Sequence, residues 1–141
     1  MMARVKRLPL LLLLLLAAAA LVYASEQAAT EKAMAKIVTF KDKGFVNVRG
    51  ERRGYLAAAG VLDQKIKMFD NQEYLAVVAG DEDVETITLQ VQDKDGKVLA
   101  AGEGTGPLAC VTYKPAKMDK YTFKVEVPKK GGYYHFSLVT K

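Results

Sequence analysis

The chain has no tryptophan, one cysteine and one histidine in 141 residues. A lone Cys110 excludes an intrachain disulfide and the paired cysteines of a zinc site, so the fold must be held by packing. Cys110 reads as a small buried hydrophobe or as a thiol available for an intermolecular bond. A lone His135 excludes the H-E-x-x-H motif and leaves one imidazole for general-base chemistry. The serines outside the N-terminal apolar run are Ser25 and Ser137. Two apart on an expected strand, His135 and Ser137 project from the same, outward face. At about 7 Å separation they are too distant for a hydrogen bond without rearrangement. Gly102-x-Gly104-x-Gly106 has no helix behind it, so it is a turn and not a dinucleotide fingerprint. Paired carboxylates for glycoside hydrolysis have no aromatic platform or cleft signature beside them. An enzyme is not expected.

Long apolar runs are also missing, except at the start. Arg4, Lys6 and Arg7 precede the Leu- and Ala-rich stretch Leu8 to Val22, and Val22-Tyr23-Ala24 offers small residues at −3 and −1. This is the layout of a secretory signal peptide over residues 1–24, cut before Ser25. The competing reading is an uncleaved anchor, since roughly 15 apolar residues are marginal for spanning a bilayer. Cleavage leaves 117 residues, enough for one domain with a modest core. It removes three basic residues and no acidic one, so the net charge falls from +5 to +2. The basic balance is thus largely a property of the leader, and nucleic acid is excluded as a partner. The mature chain would be secreted or periplasmic, with no membrane span.

Residues 25–44 carry Ala28, Ala29, Ala33, Met34, Ile37 and Phe40 at helical spacing, closed by Gly44. They predict a short amphipathic helix. Residues 45–141 read as strands. Tyr121, Phe123, Val125 and Val127 alternate with polar residues, as do Ile87, Leu89 and Val91. Tyr74 to Ala79 is apolar on both faces, which suits a central strand. Further strands are expected at Phe45–Arg49, Gln64–Phe69, Lys97–Ala101, Leu108–Tyr113 and Tyr133–Thr140. Gly54–Val61 is ambiguous between helix and turn. Asp93-Lys94-Asp95-Gly96 is a hairpin signal. About eight short strands without alternating helices predict a mainly β fold, an antiparallel sandwich or jelly roll.

The run "QEYLAVVAGDEDVETITLQVQDKDGKVLAAGEGTGPLACVTYKPAKMDKYTFKVEV" resembles the bacterial pre-peptidase C-terminal (PPC)-like domain family. Tyr74 leads the first strand and Gly80-Asp81-Glu82-Asp83 stands as the acidic loop. Asp93-Lys94-Asp95-Gly96 stands as the hairpin, and Tyr113-Lys114-Pro115 precedes Tyr121 to Val125. The likeness spans about residues 60–139. It departs at Thr86 and Thr88, where the family pattern has carboxylates, and at Lys120, where it has glycine. The resemblance implies a secreted β-sandwich serving exported enzymes as a binding or secretion accessory. It also implies that some relatives hold Ca²⁺ through the acidic loop.

Calcium takes six to eight hard oxygens. Asp81, Asp83 and Glu85, with Glu82 between, are the candidate ligands, but near-adjacent acids cannot all converge on one ion. The plainer expectation is a solvated acidic turn and no cofactor. Among the aromatics, strand parity turns Tyr134, Phe136 and Leu138 inward and leaves Tyr133, His135 and Ser137 outside. Tyr133 and His135 are therefore the candidate ligand-facing residues. The expected function is a secreted or periplasmic non-enzymatic binding or accessory protein, its partner a protein, peptide or glycan of the cell envelope. Two alternatives stand beside it. One is an envelope-associated subunit pairing through a strand edge, and the other a calcium-dependent module using residues 81–85.

Overall fold

Tyr74–Gly80 is buried along its whole length, because a layer covers each of its faces. The computed structural model describes residues 8–141, and side chains from residue 10 onward. The basic residues Arg4, Lys6 and Arg7 of the expected leader lie outside the described residues. One helix, α1 (Leu8–Val38), precedes eight strands. These are β1 (Asn47–Leu56), β2 (Gly60–Met68), β3 (Tyr74–Gly80), β4 (Thr88–Gln92), β5 (Val98–Ala101), β6 (Leu108–Tyr113), β7 (Asp119–Val127) and β8 (Gly132–Thr140). They form two four-stranded antiparallel sheets, ordered β1-β8-β3-β6 and β2-β7-β4-β5. The fold is the expected mainly β sandwich, with α1 as a third layer on the first sheet.

The inter-sheet core follows the alternation in the sequence. Tyr121, Phe123, Val125 and Val127 of β7 meet Tyr134, Phe136 and Leu138 of β8 and Ala76 and Val78 of β3. Phe123 and Phe136 sit 5.8 Å apart between the sheets. A second cluster lies under α1, where Ala33 and Ile37 pack on Leu75, Val77, Ala79, Cys110 and Val139 with Phe45, and Ala29 one turn earlier is fully buried too. The four-residue spacing puts the three helix residues on one stripe, and the two alanines let the helix approach the sheet closely. Burial raises the Cys110 thiol pKa above its ordinary value. This keeps it a small protonated hydrophobe.

Three expectations change. The helix does not begin near residue 25; it runs unbroken through the apolar stretch and ends at Val38, so Phe40 follows it in a tight turn before a single 3₁₀ turn at Lys41–Lys43. Its first half, Leu10 to Val22, is exposed. Leu10–Val38 is long and apolar enough to cross a membrane, with a mean hydropathy of 1.9, as a signal sequence also would be. The ambiguous Gly54–Val61 is a corner where the chain leaves one sheet for the other, turning on a Gly60 N–H to Ala57 carbonyl bond of 2.8 Å. The expected strand at Phe45–Arg49 is the start of a longer strand, β1.

The two long seams of the sandwich differ. At the far seam, Glu103 and Cys110 exchange backbone bonds of 2.7 and 2.8 Å, lacing the segment after β5 to β6 of the other sheet. At the near seam, β1 and β2 are the outer strands of their sheets and no such lacing joins them.

Candidate functional site

The near seam is open because of what β1 presents inward. Gly50, Arg52 and Gly54 pair with Leu138, Phe136 and Tyr134, the inward residues of β8. Paired residues of an antiparallel ladder share a face, so before Leu56 closes it, β1 offers the core two glycines and an arginine where a sandwich strand usually carries aliphatic groups. At Gly54 the gap is filled, since a β-carbon there would stand 3.1 Å from the Tyr134 ring. At Gly50 it is empty, with no atom within 4 Å of such a carbon.

The result is a groove of about 610 Å³ between β1, β2 and the turn before β3. Its floor is Ile66, Tyr74, Phe136 and Leu138, and its rim carries Arg49, Arg52, Lys67 and the exposed Phe69. Arg52 Nη1 donates to Gln64 Oε1 across the seam at 2.9 Å. Arg49 occupies a bulge in β1 and donates from Nε to Thr140 Oγ1 at 3.0 Å. The Lys67 ammonium stands 5.7 Å from the Phe69 ring centroid. Glu51 is the one carboxylate on the lining, and it turns to the opposite face, toward His135 Nε2 at 3.5 Å and Arg53 Nη2 at 3.9 Å. The groove therefore combines an apolar floor with a cationic rim.

Sequence reasoning missed this site. The visible signal is Gly50-x-Arg52-x-Gly54, a strand-length segment whose inward positions hold no aliphatic side chain. The residues singled out from the sequence lie elsewhere, and several need correction. His135 and Ser137 are not on a wet face; both are 0% exposed, because α1 covers the outer face of β8. Nor are they too far apart, since His135 Nε2 and Ser137 Oγ are 2.8 Å apart. Side chains of like parity lean toward each other even when their backbones are a full strand repeat apart.

That pair is not a catalytic relay. Arg53 Nε, which can only donate, points at His135 Nδ1 at 3.1 Å, and Thr30 Oγ1 of α1 lies at the same distance from it. Nδ1 is thus an acceptor, and the ring proton sits on Nε2, facing Ser137. A relay needs the carboxylate on one ring nitrogen and the hydroxyl on the other. Here Glu51 and Ser137 share Nε2, and an arginine takes the second position. Desolvation lowers the His135 pKa, with Glu51 opposing and Arg53 adding to the shift. The cluster joins helix to sheet. Tyr133, the other candidate, is half-buried and packs edge-on against Tyr55 at 5.3 Å.

The acidic loop is only partly solvated. Asp81 is 1% exposed, contrary to its expected place in a wet turn. Its Oδ1 accepts from the Asp83 N–H at 3.0 Å and its Oδ2 from the Tyr133 N–H at 3.1 Å. Glu82, Asp83 and Glu85 are exposed, and Asp83 faces Lys130 at 3.5 Å. Asp81, Asp83 and Glu85 do not converge on one point, and among the described residues no three potential metal ligands do. Asp93 has the expected hairpin role, accepting from the Asp95 and Lys97 N–H groups at 2.9 Å each, with Gly96 at φ 85°.

No family model and no curated protein sequence matches the chain. Solved structures do. The Aeromonas hydrophila PliG, a periplasmic inhibitor of g-type lysozyme, is 11% identical with a TM-score of 0.50, covering 70% of this chain and 90% of its own. The pre-peptidase C-terminal domain of Bacillus anthracis collagenase is 16% identical with a TM-score of 0.53, covering 66% and 90%. The Yersinia pseudotuberculosis-derived mitogen is 11% identical, also at 0.53, covering 66% and 85%. At these identities the likeness is one of fold, and the resemblance to pre-peptidase C-terminal domains holds at that level.

Proposed function

We propose that this chain is an exported, non-enzymatic β-sandwich protein that acts by binding, and that the open seam between β1 and β2 is where it binds. The observation that carries the reading is the Gly50 position, an inward-facing strand site left empty above the apolar floor and beneath a cationic rim. Concave sites of roughly 300–1,000 Å³ with apolar walls and a few placed polar groups are the usual form of ligand pockets. Export is supported by the N-terminal apolar helix. A cut after Ala24 would leave Ala29, Ala33 and Ile37 docked on the sheet, so the leader could depart without opening the domain. Two proteins of this fold, a periplasmic lysozyme inhibitor and the pre-peptidase C-terminal domain of a collagenase, fit a sandwich that works through its surface. A protein, peptide or glycan of the envelope stays within this reading.

Edge pairing is the second reading, favoured by β2, an outer strand that runs nine residues without a bulge. Asp63, Lys65 and Lys67 along it are the charges that usually protect such an edge.

A melting-temperature screen tests the proposal, using fatty acids, alkyl phosphates, acidic peptides and peptidoglycan fragments as probes. Gly50→Leu serves as the variant with a filled seam. A ligand at 100 times its dissociation constant stabilises by about 2.7 kcal/mol, a shift of several degrees. The expected result is a probe that raises the midpoint of the native chain and leaves Gly50→Leu unmoved. Shifts of equal size in both would place binding elsewhere.

A further inference from the structure

We infer that the ligand of the seam is an amphipathic anion, a single alkyl chain ending in a phosphate or carboxylate. This rests on the seam being the binding site.

The first argument is shape. The groove closes at one end, where Arg52 bridges to Gln64 at 2.9 Å and the Tyr134 ring fills the space inside Gly54. Toward the turn at Phe69 and Gln72, Gln72 Nε2 donates to the Lys141 carbonyl at 2.9 Å and ties the turn to the end of β8, but among the described residues no side-chain hydrogen bond spans from β1 to β2 there. A blind slot suits a molecule with a terminal tail. An extended peptide running through would have to break the Arg52–Gln64 bridge, and the bulge at Arg49 spoils the regular ladder that peptide addition to β1 needs.

The second argument is charge. Arg49 and Arg52 stand on the lining, Lys67 faces outward from β2 but brings its ammonium to the Phe69 ring at the groove's edge, and the one carboxylate, Glu51, is turned away toward His135 and Arg53. Arg49 uses its Nε on Thr140, and its terminal nitrogens have no hydrogen-bond partner among the described residues. Guanidinium donors in that state are the standard means of holding phosphate or carboxylate. The floor beneath offers only carbon to a tail, apart from the Tyr74 hydroxyl, which is already engaged by the Phe69 N–H.

The test uses isotope-labelled protein in the form recovered after export and four decyl probes below their micellar concentrations. These are decyl phosphate, decanoate, decyl maltoside and decyltrimethylammonium. The two anions should move the amides of Gly50, Arg52, Gln64 and Ile66 and bind at least about tenfold more tightly than the other two. Arg49→Gln with Lys67→Gln should weaken decyl phosphate on the order of tenfold, and Gly50→Leu should abolish its binding. The paired charge variant keeps the inference testable if Gly50→Leu fails to fold. Phosphatidylcholine vesicles carrying lysophosphatidic acid, a one-chain phosphate, separate the sources: sedimentation lost in Gly50→Leu places the amphiphile in a bilayer, and its absence places it in the free pool. Equal binding of all four probes would overturn the anion and leave the seam standing. A glutamate-rich peptide moving those amides where no amphiphile does would overturn the ligand class alone. If no probe moves them, or only residues 10–22 respond, the seam and its ligand fall together.

Discussion

His135 shows how one added layer changes what a residue is for. On an open strand it would be a wet imidazole; under α1 it is a fully buried ring held from three sides. The groups facing it are Glu51 and Arg53 from β1, Ser137 from its own strand and Thr30 from α1, with Lys32 nearby on the Gly80 carbonyl. Burial lowers its pKa below the ordinary value near 6.5. In acid the unfolded chain therefore takes up a proton that the native chain refuses, and the stability present above about 6.5 falls as pH drops through that window. Urea midpoints at pH 7.5 and 5.5 measure the loss. His135→Gln, which keeps a neutral donor and acceptor, should lose less stability between the two values than the native chain. An unchanged loss would show that the proton goes elsewhere. Asp81 is the other buried polar anchor. Removing its carboxylate takes the acceptor from two part-buried N–H donors, so Asp81→Ala should cost about 1–3 kcal/mol, against a few tenths for the exposed Glu82→Ala.

At the scale of elements, β7 is the plainest case of sequence becoming structure. Phe123 is 0% exposed, while Lys124 is half-buried with its ammonium 3.4 Å from Glu126. Phe123→Ala should cost about 3–5 kcal/mol and Lys124→Ala a few tenths, as read from urea midpoints. Equal shifts would mean the register is wrong. Strands of this kind were legible because period-two alternation is what a half-buried strand requires. The β4–β5 hairpin was legible for the same local reason, its Asp and Gly serving the turn directly. What could not be read was tertiary. Nothing local says that α1 would seal His135, Ser137 and Val139, so β8 read as one-sided. β1 was half missed because Gly50, Arg52 and Gly54 break the alternation. That local inconsistency coincides with the groove, as departures from consistent patterning often do at sites. The acidic loop supplies an element-scale test. With Asp81 spent on backbone donors and Asp83 and Glu85 apart, the melting temperature in millimolar Ca²⁺ should match that in millimolar EDTA. A rise of several degrees with Ca²⁺, abolished by Asp81→Asn with Asp83→Asn, would make the loop the functional centre.

Across the whole molecule, the sandwich is laced at one seam and open at the other, and the helix that completes it grows out of the apolar N-terminus. Those two halves of α1 meet different surroundings. Ala29, Ala33 and Ile37 are buried, whereas the leucines from Leu10 to Leu16 are each 60–63% exposed. About 25 cal/mol per Å² of apolar surface makes so long a bare stretch costly in water, so it must be removed or placed in a bilayer. The small residues at Val22-x-Ala24 favour removal. The mature N-terminus should therefore be Ser25, with the helix continuing from there to Val38 and its contacts to Gly80 and His135 retained. Intact-mass analysis of protein recovered from a bacterial periplasm or medium decides between the outcomes. A mass lacking residues 1–24 meets the expectation. Full-length protein confined to membranes would make α1 an anchor, a continuous rod that fixes the open seam at a set height above the bilayer.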